Sequence, residues 1–384
     1  MFGEKIACVM TAVAILSSML NPMGTTFRKK LEKIRNPVNE TVSVTNEEAQ
    51  EKYFEIIEIQ RQYLPSIVCW GDSLTYGAGG EGTSYPKTVE RLIKENITDK
   101  FDLKKVMNAS DSSEVEWDDF HAKNIAALNM GIGGERSDTI CGRAGVIPFT
   151  VCEFTIPEEG GKVPIEFEIK DGQQVLPLLQ GDGGVNPVTV GDVKGKLSFE
   201  YTDDGNSVQY YFTPSKVDEE TKIEAGSEMI CSAADKYKDS IMVIMMGGNG
   251  GHNSLDELIG QYKTMLTRQD SNADRYIIVG YHGTLGALNA YPDLEERFKT
   301  EFGDHYISLS DYFFSEKALV DAGIEITDEL RAEYEAGKCP TAFLADPVHF
   351  NAIGYELVGK LVYERMDSLG YFDEVKEAYG LMKK

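Results

Sequence analysis

The sequence predicts an α/β protein, a parallel sheet covered by helices and interrupted once by an antiparallel β-module. Three observations carry this expectation. Short apolar runs bounded by Pro, Gly or Asn alternate with amphipathic stretches of helical period along most of the chain. Residues 144–235 leave that rhythm for a period of two, with turn formers between the runs. The length, 384 residues, suits two domains or one large domain with an insertion, at about 150 residues per domain.

The elements follow in order. Lys5 precedes an apolar run over 6–16 broken only by Thr11, and Ser17, Ser18 and the breaker pair Asn21-Pro22 follow. Residues 1–23 thus have the outline of a signal peptide and are too short for a comfortable membrane span. Glu4 and the missing A-x-A site keep a docked N-terminal helix open as the other reading, and a secreted or cell-envelope location is favoured over a cytoplasmic one. Residues 24–64 read as a polar helical extension stopped by Pro65. Ser66-Ile67-Val68-Cys69-Trp70 is a buried strand, and 85–95 is a helix with Val89, Leu92 and Ile93 on one face. Further strands are expected at 125–130, 240–246, 276–281 and 305–309, with helices at 255–268, 294–302 and 352–366. Strands alternating with helices in this way predict an open parallel sheet with both faces covered.

Within 144–235 the alternating runs are Ile165-Glu166-Phe167-Glu168-Ile169, Leu197-Ser198-Phe199-Glu200-Tyr201 and 208–212. Asp171-Gly172 and Asp203-Asp204-Gly205-Asn206 are among the turn signals between them. The module is flanked on both sides by the α/β pattern. It is therefore an insertion over 144–235 into a discontinuous α/β domain, 65–143 plus 236–384.

Charge limits the partners. Lys and Arg total 38 against 63 Asp and Glu, a formal charge of −25. Phosphate backbones are bound by basic surfaces, so nucleic acid is excluded as a partner, and polyanionic substrates are disfavoured. Hydrophobic residues at 42% and charged residues at 26% allow a packed core. The six cysteines, Cys8, Cys69, Cys141, Cys152, Cys231 and Cys339, form no CxxC, which excludes a zinc ribbon or a small disulfide scaffold and favours buried free thiols.

The chemistry gathers in four blocks. Gly71-Asp72-Ser73-Leu74 closes the first strand and sets a serine at the carboxyl end of a parallel strand, where α/β folds place their chemistry. It is not a G-x-S-x-G elbow, because Thr75 stands where the last Gly would be. A serine nucleophile needs a base, and the base an orienter. Asp346-Pro347-Val348-His349 offers both, three residues apart on one face of a turn, although a D-x-x-H alone also suits a metal half-site or a loop cap. Acyl transfer needs donors where negative charge develops on oxygen. Asn129-Met130-Gly131-Ile132-Gly133-Gly134 offers the Gly134 N–H, and Gly247-Gly248-Asn249-Gly250 the Asn249 amide.

Taken together and in this order, Ser73, Gly134, Asn249 and Asp346/His349 make the chain resemble the SGNH (GDSL-type) hydrolase superfamily. The likeness lies in four short blocks spread over 71–349. The resemblance implies a flavodoxin-like three-layer α/β/α fold and a serine esterase mechanism without metal or other cofactor. It implies Ser73 as nucleophile, His349 as general base and Asp346 as its orienter, with the N–H groups of Ser73 and Gly134 and the Asn249 side chain as the oxyanion hole. One departure is Gly250, where members often carry Asp, and it touches local loop geometry. The β-module, with Gly142-Arg143-Ala144-Gly145 and Val185-Asn186-Pro187, resembles an elaboration seen in some bacterial members. The expected substrate is a short-chain, acetyl-type ester of a carbohydrate or small polar alcohol. A lipase or thioesterase on longer chains, an acyltransferase and a non-catalytic glycan-binding protein are the competing readings.

Two further signals are set aside. Gly77-Ala78-Gly79-Gly80-Glu81-Gly82 fits G-x-G-x-x-G by letter, but Glu81 would repel phosphate and no P-loop Lys follows, so it reads as a flexible rim beside Ser73. His121, His252, His282 and His305 have no metal-ligand spacing and read as polar core or rim residues.

Overall fold

In a computed structural model of the protein, the structure describes residues 66–97, 127–170, 173–179, 183–202, 207–234, 236–269, 274–283 and 285–378. The expectations for residues 1–23 and 24–64, and those for Cys8 and His121, lie outside the described residues. Residues 65–96 and 116–372 belong to one compact unit. Of the second unit, only Ile97 and the short helix Asp373–Ala378 are described.

The first element is the strand β1, Ile67–Gly71, buried at every position, followed by one turn of helix, α1, Ser73–Tyr76. Helix α2, Tyr85–Asn96, buries Tyr85, Val89 and Ile93 at a spacing of four, one stripe facing the sheet. Strand β2 is Ala127–Gly131, and helix α3, Ser137–Arg143, leads into the module.

The module holds β3 Phe149–Val151, β4 Phe154–Ile156, β5 Val163–Ile165, β6 Ile169–Lys170, β7 Gln173–Gln174, β8 Val188–Val190, β9 Val193–Tyr201, β10 Val208–Pro214, β11 Thr221–Ile223 and β12 Ser227–Cys231. Its main sheet is antiparallel in the order β3-β12-β8-β9-β10-β5. It has its own core, in which Val151, Ile156, Val188, Val190, Phe212 and Met229 are fully buried. The expectation of one alternating strand over 165–169 is corrected here. Ile165 pairs with Tyr210, but Phe167 bridges Val151 on the strand at the opposite edge of the sheet. The chain therefore crosses from one edge strand to the other, Ile169 is left 68% exposed, and the edge groups of β3 find partners in Cys152 N to Glu166 O (2.8 Å) and Glu168 N to Thr150 O (2.9 Å). Curling a sheet so that its edges meet is one way to avoid open strand edges.

After the module come β13 Ile241–Met245, α4 Leu255–Leu266, β14 Tyr276–Val279, α5 Leu294–Phe302, β15 Tyr306–Ile307, α6 Leu309–Phe313, α7 Glu316–Asp321, α8 Asp328–Glu335 and α9 Ala352–Ser368. The second sheet is parallel throughout, in the order β15-β14-β13-β1-β2. Counted along the chain, that order is 2-1-3-4-5. The connections leave β1 toward opposite sides at this point, which is where open α/β sheets hold their ligands. The register pairs Gly71 with both Gly131 and Met245, so three strands end level and their following loops share one rim.

Local signals set the helix starts. Ser254 accepts from Glu257 N at α4, and Asn351 accepts from Gly354 N at α9. Helices α6 to α8 were not expected from the sequence, being too short for a hydrophobic period to register. Among the described residues no helix is long and apolar enough to cross a membrane. The five described cysteines are free thiols, four of them buried.

Candidate active site

Ser73 is the first residue of α1, directly beyond the carboxyl end of the central strand. Asp72 caps that turn, its Oδ1 accepting from Leu74 N at 2.9 Å. The turn lies against β2 so closely that a Cβ on Gly131 would stand 2.2 Å from Tyr76 N and 2.8 Å from Asp72 O, which restricts this position to glycine.

His349 reaches Ser73 from the loop before α9. Its ends are tied by an antiparallel bridge between Leu344 and Phe350 and by Ala345 N donating to His349 O at 2.9 Å. Inside the loop, Asp346 Oδ1 accepts from the backbone N–H groups of Val348 and His349, each at 2.8 Å, and its Oδ2 meets His349 Nδ1 at 2.7 Å. A carboxylate only accepts, so the proton on Nδ1 is donated to it. The other ring nitrogen, Nε2, is then left as an acceptor 2.9 Å from Ser73 Oγ. The hydrogen bond from His349 holds the Asp346 carboxyl down to about 2, so it stays ionised. The chain Asp346–His349–Ser73 is geometrically able to remove the serine proton and stabilise the resulting imidazolium.

The two remaining blocks close β2 and β13. Gly134 has φ +76° and Asn249 is exposed, on loops that flank the end of β1. The loops are joined: Asn249 Nδ2 donates to Glu135 O at 3.1 Å, and Ser137 N donates to Gly250 O at 2.9 Å. An amide NH2 carries two protons, so Asn249 keeps one for a further acceptor.

Glu135, next to Gly134, is buried and paired with buried Arg143 through Nε (2.9 Å) and Nη2 (2.5 Å). Arg143 also donates to Met130 O and to Gly183 O, each at 2.7 Å, and so joins the Gly134 turn to the β-module. Its guanidinium stands 4.9 Å from the ring of fully buried Trp70.

Sequence reasoning missed Tyr281 as a supporting group, while His282 and His252, expected as polar core or rim residues, are buried polar side chains that brace the site loops. Tyr281, just past β14, donates to Asp72 Oδ2 at 2.9 Å and accepts from Gly248 N at 3.1 Å. His282 donates from Nε2 to Val348 O at 2.8 Å and packs on Phe350, bracing the His349 loop from below, and burial lowers its pKa. His252 donates from Nε2 to Gly247 O at 3.1 Å and meets Tyr291 through Nδ1 at 3.0 Å, bracing the Asn249 loop. His305 stacks on Tyr276, away from this site. The sequence signal for Tyr281 and His282 was only their place after a strand.

Of the stretch 77–82, expected to be a flexible rim, residues 77–80 are closely packed, while Glu81 and Gly82 are exposed and Gly82 has open space beside it. A Cβ on Gly79 would stand 2.8 Å from Phe350 O and 3.2 Å from His349 Cβ, and Tyr355 donates to Ala78 O at 2.7 Å. A cavity of about 260 Å³ lies at the junction with the module, lined by Met130, Gly184, Val185, Ala233 and Tyr237, and none of Ser73, Asp346 and His349 lines it. Among the described residues, no group of three His, Cys, Asp or Glu side chains is placed to hold a metal ion. No family model, no curated protein and no solved structure matches the chain.

Proposed function

We propose that the protein is a serine ester hydrolase of the SGNH type. The observation that carries this reading is the continuous chain from Asp346 through His349 to Ser73, with contacts of 2.7 and 2.9 Å. The 2-1-3-4-5 strand order supports it, being the flavodoxin-like order. The glycine and asparagine loops beside Ser73, linked through Glu135, support it further.

Ser73 Oγ attacks the ester carbonyl carbon while His349 Nε2 takes its proton. Negative charge gathers on the carbonyl oxygen, facing the N–H groups of Ser73 and Gly134 and the free Asn249 amide proton. Collapse breaks the bond to the alcohol, which leaves with the proton from His349, and an acyl-serine remains. Water then attacks the acyl group, giving its proton to His349, and the carboxylic acid departs as Ser73 recovers its hydrogen. Asp346 holds the imidazole in the working tautomer throughout.

The substrate we favour is a short acyl ester of a sugar or other small polar alcohol. His349 is 24% and Asp346 49% exposed, an open setting that suits a small acyl group on a hydrated alcohol better than a long chain needing burial. The charge of −25 favours neutral or cationic esters over polyanionic ones. The test is a panel of esters of rising chain length together with acetylated saccharides, assayed with wild type and Ser73→Ala. Activity on acetyl esters that disappears in the variant is expected. Activity peaking at long chains would refute the substrate class, and no hydrolysis at all would refute the esterase reading.

A further inference from the structure

Tyr281 lies two residues past β14, a strand that does not touch β1 because β13 stands between them. Its hydroxyl nevertheless reaches over the end of β13 to Asp72, the residue before Ser73. The same oxygen accepts the Gly248 N–H, from the residue before Asn249. One phenol oxygen therefore ties the turn that carries the candidate nucleophile to the loop that carries the candidate oxyanion donor. Asp72 is 2% and Tyr281 4% exposed, so water does not compete for these bonds. Ser310 Oγ donates to Tyr281 O at 3.0 Å and fixes the backbone behind the ring.

A buried carboxylate is an expensive way to cap a four-residue turn. An uncharged Ser or Asn would satisfy the Leu74 N–H without the cost of burying a charge. What Asp72 adds is a second strong acceptor, Oδ2, aimed at Tyr281. Burial also keeps the Tyr281 hydroxyl protonated, raising its pKa well above the ordinary tyrosine value, so it remains a donor at any assay pH.

We propose that Asp72 and Tyr281 are positioning residues of this site, which together set the placement of Ser73 Oγ relative to the Asn249 amide. The inference rests on the esterase reading above. It assigns no contact with substrate to either side chain. Their contribution is to the transition state, in which the nucleophile and the oxyanion donors must be correctly placed at once.

The experiment measures kcat and KM for p-nitrophenyl acetate in wild type, Tyr281→Phe, Asp72→Asn, the double variant and Ser73→Ala, with folding followed by circular dichroism. Tyr281→Phe keeps the ring and removes one oxygen, and it decides the question alone if Asp72→Asn fails to fold. The expected result is a kcat loss of about 10- to 100-fold in each single variant with KM within about twofold, the scale on which small misplacements of reacting groups act. The double variant should be no more than about threefold slower than the worse single one, because both changes break the same link. Wild-type kcat in Tyr281→Phe, a rise in KM alone, or losses that multiply would overturn the proposal. Ser73→Ala separates two kinds of failure. If it hydrolyses as fast as wild type, the esterase reading falls. If it is dead while Tyr281→Phe is unimpaired, only the positioning role falls.

Discussion

Replacing Asp346 by Asn changes one atom, and its consequence follows from the hydrogen bonds. Oδ1 accepts two backbone N–H groups, from Val348 and His349, at 2.8 Å each. Those donors have no other orientation, so the oxygen of an asparagine must take that place and its NH2 must take the place of Oδ2, 2.7 Å from His349 Nδ1. An NH2 facing a ring nitrogen requires that nitrogen to accept. The imidazole proton is then driven to Nε2, opposite Ser73 Oγ, and the ring can no longer act as a base there. The wrong tautomer costs about 10⁴-fold in kcat, roughly 5.5 kcal/mol of transition-state stabilisation. Both backbone bonds survive and Asp346 is 49% exposed, so the loss of folding stability should stay below about 1 kcal/mol. Acetyl-ester hydrolysis by Asp346→Asn, with a urea titration of the same sample, tests both halves. A kcat loss under about tenfold would refute the tautomer argument, and an unfolded variant would mark Asp346 as structural.

Three other outcomes are expected. In Gly131→Ala the new methyl meets the backbone of α1 at Tyr76 N (2.2 Å) and Thr75 C (2.7 Å), neither of which can swing away, so the Ser73 turn must shift. We expect kcat to fall about tenfold or more, with a lower Tm, and unchanged kinetics would contradict the packing described. Gly260, inside α4, has open space where a Cβ would sit, so Gly260→Ala should stabilise by about 0.5–1 kcal/mol in urea unfolding with kinetics unaltered. Burial raises the Asp72 carboxyl from its ordinary 3.8 to about 6, opposed by its hydrogen bonds to Leu74 and Tyr281. Between those values the folded protein holds a proton that the unfolded chain has released, so the stability from this group is complete below pH 3.8 and is lost as pH rises through 6. The loss from pH 4 to 7 should therefore be about 2 kcal/mol larger in wild type than in Asp72→Asn, and parallel stability curves would contradict it.

The sequence made the central strands plain because they carry their burial in their composition. Ile67–Gly71 and Ile241–Met245 are apolar runs buried at every position, and such runs announce a strand covered on both faces. The same reasoning failed at Ile165–Ile169, where a period of two says that one face is buried but not which strand the chain pairs with. There the partner changes within three residues. The triad blocks were visible as short motifs because Asp346 and His349 are three apart in one turn. Their approach to Ser73 depends on Asn351 capping α9 and on the Leu344–Phe350 bridge, which only folding brings together. Tyr281 was out of reach of sequence reasoning. Its contact with Asp72 follows from a strand order in which three parallel strands end side by side, and no local pattern encodes that order.

The most direct test of the central claim is covalent labelling of the native protein with a serine-directed fluorophosphonate, read by peptide mass spectrometry. The account predicts one modified residue, Ser73, with the label lost in Ser73→Ala and slowed in Asp346→Asn, where the base is in the wrong tautomer. A protein that stays unlabelled, or that is labelled at another serine while Ser73→Ala retains its activity, would contradict it.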